Sequence, residues 1–115
     1  MANRIKTLIF FLYALARRDA RPKVVFYHDV GTEWTPMGTP RKMFWVHMKL
    51  LRKEDVVCLD DGFRGVWDER GKFKVMGLCP RISVAPRLVG AKGYLNWDEL
   101  RILHKDYGFA VICHG

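Results

Sequence analysis

The stretch VVCLDDGF, residues 56–63, carries most of the information about the fold. It begins as a β-branched apolar run, which is typical of a strand buried on both faces, and it ends in two adjacent carboxylates and a glycine. Two other apolar runs end in the same way, in side chains that can titrate or bind a metal: VVFYH runs into Asp29, and FAVIC is followed by His114. The pattern predicts a sheet whose strands carry functional side chains at their carboxyl ends.

Four strands are expected in all, at residues 23–28, 55–59, 81–85 and 109–113. An N-terminal helix covers residues 7–16, and a second helix is predicted at residues 42–52 with an apolar face of Met43, Val46, Leu50 and Trp45. Strands that alternate with helices indicate right-handed βαβ units and a parallel sheet. The predicted class is therefore α/β, with about four parallel strands.

The last predicted helix, residues 97–105, has the clearest ends. Asn96 is a good N-cap, acidic residues follow in the first turn, and Gly108 can close the helix. Its apolar face is predicted to contain Trp97, Leu100 and Leu103 or His104. Between the regular elements, the composition predicts loops at residues 31–40 and 86–93, and a loop leading into a weak helix at residues 63–72.

Asp60 and Asp61 repel each other unless a cation or a proton intervenes, so their position after a buried strand is informative. Successive strand residues point to opposite sides, so one carboxylate could bind a metal while the other addresses a water, with Gly62 allowing a tight exit. A helix cap followed by a turn explains the pair equally well. On these residues alone, both interpretations stay open.

The four histidines have no H-x-x-H or H-E-x-x-H spacing, so a metal motif on a single helix is absent. His47 and His104 lie in helical segments and are expected to be structural. His28 and His114 lie at strand ends, where a parallel barrel would bring them to one mouth together with Asp29. His28 and Asp29 are therefore candidates for the active-site mouth.

The composition is that of a globular domain, with 115 residues, 50% of them hydrophobic and 28% charged. A net charge of +8 raises the question of a nucleic-acid partner. No helix-turn-helix, zinc-finger or aromatic RNA-binding pattern accompanies the charge, so we expect a solvated basic face and no nucleic acid. The cysteines, Cys58, Cys79 and Cys113, lie in or beside apolar runs and are expected to be buried and reduced.

Residues 1–22 form an N-terminal region that is both apolar and basic, and its segment TLIFFLYALA, residues 7–16, resembles the core of a secretory signal. The apolar stretch is short, Arg17 and Arg18 follow at once, and no disulfide pattern appears, so export is the weaker expectation. The stretch is too short to span a bilayer. We expect a cytoplasmic protein whose first helix packs beneath a barrel or rests on a membrane surface.

Taken together, residues 23–115 resemble the polysaccharide deacetylase family, carbohydrate esterase family four. The resemblance rests on an ordered set of motifs: YHDV, LDDGF, GYLNWDELR and GF-x-V-x-x-H. It implies a distorted (β/α) barrel, of which this chain would supply the front portion, since barrel enzymes typically need about 200 residues or more. The fold expected from the resemblance is thus a partial, truncated barrel of that type.

The resemblance also implies roles for individual residues. Asp60 corresponds to the catalytic base, while Asp61 and His114 correspond to ligands of a divalent metal, most often zinc. The reaction implied is hydrolysis of acetamide groups on an N-acetylated glycan. Leu59, Arg81 and Cys113 stand where the family usually has Phe, a small residue and Ser.

A second metal histidine, expected about four residues after His114, lies outside this sequence, and two protein ligands are fewer than the three that usually hold catalytic zinc. We therefore expect negligible deacetylase activity from this polypeptide alone, with metal binding weak or absent. Open sheet edges would favour self-association. The alternative is a non-catalytic remnant or interaction module that binds a partner or a membrane surface.

Overall fold

The computed structural model describes residues 2–16, 22–31 and 37–114, with side chains of the first segment described at residues 4–13. The helices are α1 (Ala2–Ala16), α2 (Arg41–Leu50), α3 (Gly65–Asp68), α4 (Arg70–Met76) and α5 (Trp97–Tyr107). The strands are β1 (Val24–Tyr27), β2 (Asp29–Gly31), β3 (Gly38–Pro40), β4 (Val56–Asp60), β5 (Arg81–Val84) and β6 (Ala110–Cys113).

Four strands form a parallel sheet in the order β1-β4-β5-β6. Tyr27 is in register with Leu59, Asp60 with Ser83, and Val84 with Cys113, so the carboxyl ends of these strands lie along one edge. Helices separate the strands along the chain, because parallel neighbours need a crossover connection. The α/β class and the four parallel strands predicted from the sequence are confirmed.

Two segments that were predicted wholly or partly as loops hold strands or α-helices. β2 and β3 pair in parallel at the two ends of the predicted 31–40 loop, whose residues 32–36 lie outside the described part of the chain. In the segment 63–72, which was predicted as a loop leading into a weak helix, the helix is confirmed, but helical structure already begins with α3 and continues in α4. Val66 and Phe73 of these helices are buried, so packing in the core stabilises helices that the local sequence favours only weakly.

The apolar face predicted for α2 was correct at Trp45 and wrong at its other three residues. Phe44, Trp45 and Met48 are its buried apolar residues, whereas Met43, Val46 and Leu50 are only partly covered. The cause is that α2 packs on two sides. Phe44 and Trp45 contact Phe73 of α4, while α1 contacts α2 at Met43 and His47.

In α5 the predicted ends are confirmed, because Asn96 and Glu99 form a reciprocal capping box and Gly108 ends the helix in the left-handed conformation. Trp97 was expected on the buried face but is half exposed. The buried face runs through Glu99, Leu100 and Leu103, and Trp97 lies about 110° around the helix from its centre.

Cys58 is buried, as expected, but Cys79 and Cys113 are exposed, which corrects the prediction for those two thiols. Cys79 lies in the connection from α4 to β5, and Cys113 ends β6, an edge strand of the four-stranded sheet. All three are free thiols. Within the described residues, no helix has the length and apolar character needed to cross a membrane.

Candidate active site at the carboxyl edge of the sheet

The turn after β4 is built from two consecutive residues with left-handed backbone. Asp61 has φ 73° and Gly62 has φ 72°. Aspartate tolerates this region better than most residues because its short polar side chain can bond locally. A Cβ on Gly62 would lie 3.0 Å from Val84 Cγ1, a tight contact, and the positive φ of this residue also favours glycine. The tight exit predicted for Gly62 is present.

Asp61 lies between two histidines. Its Oδ1 is 3.2 Å from His114 Nε2, and its Oδ2 is 3.9 Å from His28 Nε2. His28 follows β1 and His114 follows β6, and both reach Asp61 because parallel strands end at a common edge. The structure therefore brings together three of the side chains that the sequence singled out.

Asp60 is the last residue of β4, and its carboxylate is held from the neighbouring strand. Ser83 Oγ donates to Asp60 Oδ1 at 2.6 Å, and the two residues are paired in the β4–β5 register. Ser83 is buried, so bulk water competes little for its hydrogen bond to Asp60. The bond leaves the other oxygen, Oδ2, for a further donor.

Asp29 has a different environment from the two other aspartates of the candidate site, Asp60 and Asp61. A Cβ on Gly65 would lie 2.3 Å from Asp29 Oδ1, so this carboxylate packs against the start of α3. Burial raises the pKa of the Asp29 carboxyl, and the backbone N–H groups of Val30 and Gly65 oppose that effect. Its Oδ1 has no hydrogen-bond partner among the described residues.

The segment after Gly62 is anchored to the segment that leads into α5. Phe63 forms an antiparallel bridge with Tyr94, and their rings stack with centroids 5.0 Å apart. Arg64 N donates to Gly93 O at 2.9 Å, and the Arg64 guanidinium pairs with the buried carboxylate of Glu99. These contacts fix the position of the turn that carries Asp61.

Sequence reasoning had missed Ser83 and the Arg64–Glu99 pair. Ser83 has a recognisable signal, because it is the one hydroxyl in the apolar strand next to β4. Arg64 and Glu99 are 35 residues apart, and nothing in the local sequence predicts that they meet.

The donor atoms around Asp61, carboxylate oxygen and imidazole nitrogen, are of the types that bind zinc. Zinc takes imidazole nitrogen and carboxylate oxygen at about 2.0–2.2 Å, which places two tetrahedral ligand atoms about 3.3 Å apart. The 3.2 Å between Asp61 Oδ1 and His114 Nε2 agrees with that spacing, while His28 is farther away. In residues 2–16, 22–31 and 37–114, no group of three His, Cys, Asp or Glu side chains is placed to hold an ion.

A cleft of about 400 Å³ adjoins His28 on the side of α1, and its lining includes Phe10, Tyr27 and His47. Asp60, Asp61 and His114 are not among the described residues that line it. The cleft therefore shares His28 with the cluster around Asp61 but does not include the two aspartates or His114.

Comparison of the chain with protein-family models, with curated proteins and with solved structures finds no match.

Proposed function

We propose that this chain carries part of a metal-dependent deacetylase site of the polysaccharide deacetylase type, in which the four-stranded sheet is the front of a (β/α) barrel. The observation that supports this most directly is the position of Asp61 beside His114 and His28, with Asp60 adjacent and held by Ser83. Four independent segments contribute these side chains to one edge of the sheet. A helix cap or surface turn would not require such convergence.

In the proposed reaction, Asp60 acts as the general base and Asp61 and His114 hold the ion. Zinc, when bound, would polarise the acetamide carbonyl and the attacking water. Ser83 orients Asp60, whose Oδ2 would accept the proton of that water. The water oxygen would bond to the carbonyl carbon, the bond between that carbon and nitrogen would break, and the proton taken up by Asp60 would pass to the departing nitrogen, giving acetate and a free amino sugar. The substrate class is an N-acetylated glycan.

The first experiment titrates the full chain with Co²⁺ and follows the absorption bands of the bound ion. Asp61→Asn keeps the shape and tolerates the left-handed backbone, but it removes the charge of the ligand. We expect it to weaken Co²⁺ binding at least tenfold, on the order of the losses seen when a metal site is impaired. Asp98→Asn, on the exposed surface of α5, is the matched control and should bind as the wild type does. Equal binding by all three proteins would contradict the metal site.

The division of roles between the two aspartates is tested with Asp60→Asn. This variant should bind Co²⁺ as the wild type does, because Asp60 is assigned to the water and not to the ion. Acetate release from an oligomer of N-acetylglucosamine is measured alongside, and Asp60→Asn should abolish any release that the wild type shows. Loss of Co²⁺ binding in Asp60→Asn would contradict the assigned roles.

A second candidate function is that of a non-catalytic binding module. It is favoured by one observation, the exposed apolar side chains of α1. Such a module would have no dependence on Asp61. Retention of Co²⁺ binding in Asp61→Asn, together with wild-type behaviour of that variant in binding assays, would favour it over the enzyme.

A further inference from the structure

Helix α1 is held on α2 through one of its sides. Phe10 stacks on the ring of His47, with centroids 4.1 Å apart and planes 17° from parallel. Thr7 Oγ1 lies 3.3 Å from Met43 Sδ. These contacts fix which side of α1 faces the protein, and so they also define the side that faces away.

The side that faces away is apolar. We call it the α1 apolar face, and it consists of four side chains that are 52–60% exposed: Ile5, Leu8, Ile9 and Leu12. Their spacing of i, i+3, i+4 and i+7 places them in one stripe, about 100° wide, opposite Thr7 and Phe10. A surface helix normally buries its apolar stripe and exposes its polar side to water. In α1 the apolar stripe is exposed instead.

Basic residues border the stripe on both sides. At 100° per residue, Arg4 lies at one border and Lys6 at the other, where Tyr13 also lies. A groove beside Leu8 and Phe11 is lined by Arg4 and by Lys42 of α2. The helix has no acidic residue. In residues 1–23 the sequence has the basic residues Arg4, Lys6, Arg17, Arg18, Arg21 and Lys23, against the single acidic residue Asp19.

We propose that the α1 apolar face docks on the surface of a bilayer that contains anionic lipid, with the helix axis parallel to the membrane plane. This inference is independent of the proposed enzymatic function. An apolar stripe between two basic borders suits this placement, because the stripe enters the acyl region while cations reach the headgroups. Fifteen residues span about 22 Å, which is short of the roughly 30 Å hydrocarbon core, so the helix lies on the membrane and does not cross it.

A second copy of the chain is a poorer occupant of this face. In a two-fold pairing the same surface lies on both partners, so the basic borders of one copy would meet those of the other. Arg4 and Lys42 would then lie close to their copies, and α1 has no acidic residue to place between them. A bilayer with negative headgroups removes that repulsion and attracts the same residues.

The test is flotation of the full chain with vesicles of phosphatidylcholine mixed with phosphatidylglycerol, compared with vesicles of phosphatidylcholine alone. Binding should be stronger to the anionic vesicles and should fall as NaCl is raised, because salt screens the basic borders. The double variant Leu8→Gln, Leu12→Gln should bind at least about tenfold more weakly, since it removes two of the inserting side chains. Val75→Gln changes a side chain that is 87% exposed on α4, and it should bind as the wild type does.

The contribution of charge is tested separately with Arg4→Gln. This variant should bind more weakly to the vesicles that contain phosphatidylglycerol but not to those of phosphatidylcholine alone. Lys105→Gln, on α5, is its control and should bind as the wild type does. Circular dichroism verifies that each variant is folded. Three results would overturn the proposal: no vesicle binding by the wild type, equal binding by wild type and Leu8→Gln, Leu12→Gln, or equal binding to the two vesicle types. Ultracentrifugation that finds a dimer dispersed by the double variant, without vesicle binding, would also overturn it and assign the face to a second copy.

Discussion

His47 is an ionisable side chain in the apolar contact between α1 and α2, and only 4% of its surface is exposed. Its Nδ1 is 3.0 Å from the hydroxyl of Tyr27, and its Nε2 has no partner among the described residues. Burial lowers the pKa of the His47 imidazole. Burial also raises the pKa of Tyr27, so the phenol stays protonated and can donate to a neutral His47 ring.

We predict that His47 makes the protein less stable in mild acid. The ordinary pKa of histidine is 6.5, and the folded value lies below it, so the unfolded chain takes up a proton first as the pH falls. The contribution of His47 to the free energy of unfolding is therefore fully present above pH 6.5 and is lost as the pH falls below that value. Urea unfolding of the wild type and of His47→Phe, at several pH values from about 5 to 8, measures the slope for each.

His47→Phe keeps an aromatic ring against Phe10 but cannot titrate, so its stability should vary less with pH than that of the wild type. The other histidines are common to both proteins, and their contributions cancel in the comparison. Equal slopes for the two proteins would show that the imidazole of His47 is not desolvated in the folded state.

At the scale of single residues, much of the site could be inferred from the sequence. His28, Asp61 and His114 follow apolar runs, and parallel strands end at one edge, so their proximity follows from the strand pattern. The left-handed backbone of Asp61 does not follow, because residues other than glycine adopt this conformation only uncommonly and the strand pattern does not indicate it. The packing of Asp29 against Gly65 does not follow either, because it depends on how α3 meets β2.

Among the elements, α3 packs closely against β2 at Gly65. A Cβ on Gly65, the first residue of α3, would lie 2.1 Å from the backbone oxygen of Val30 in β2. That oxygen belongs to the main chain and cannot move aside as a flexible side chain could. The small size of Gly65 therefore sets the distance between α3 and β2.

We predict opposite effects for two alanine substitutions in neighbouring helices. Gly65→Ala should destabilise the protein by about 1–3 kcal/mol or more, because the added methyl group overpacks a contact with backbone. Gly71→Ala, in α4, has no atom within 4 Å of the new Cβ and should stabilise by about 0.5–1 kcal/mol. Thermal unfolding of the two variants measures both shifts. A stabilised Gly65→Ala protein would mean that α3 lies far enough from β2 to leave room for a methyl group.

The elements that the sequence predicted well have strong local signals. The ends of α5 follow from a capping box and a C-terminal glycine, and β4 follows from its continuous apolar run. The elements that it predicted poorly depend on distant partners. β2 and β3 are three residues each and form a two-stranded sheet, and the buried face of α2 depends on contacts with α1 and α4.

At the scale of the whole molecule, a series of contacts between aromatic rings connects β1 to the residue before β6. Tyr27 of β1 contacts Phe44 of α2, and Phe44 contacts Phe73 of α4. Phe73 in turn contacts Trp45 and also Phe109, the residue before β6. Phe73 is fully buried at the centre of this set, so elements that are far apart in the sequence share one core.

This connection predicts that the protein unfolds as one unit and that Phe73 stabilises all of it. Phe73→Ala should lower the free energy of unfolding by about 3–5 kcal/mol, a large part of the roughly 5–15 kcal/mol available to a domain. Val75→Ala, two residues away on the exposed side of α4, should change it by less than about 0.5 kcal/mol. Urea unfolding followed by tryptophan fluorescence reports on all four tryptophans, among them the buried Trp45, and circular dichroism reports on the helices and the sheet. The two signals should change together in the wild type, whereas separate transitions would mean that the front helices and the last strands fold as distinct units.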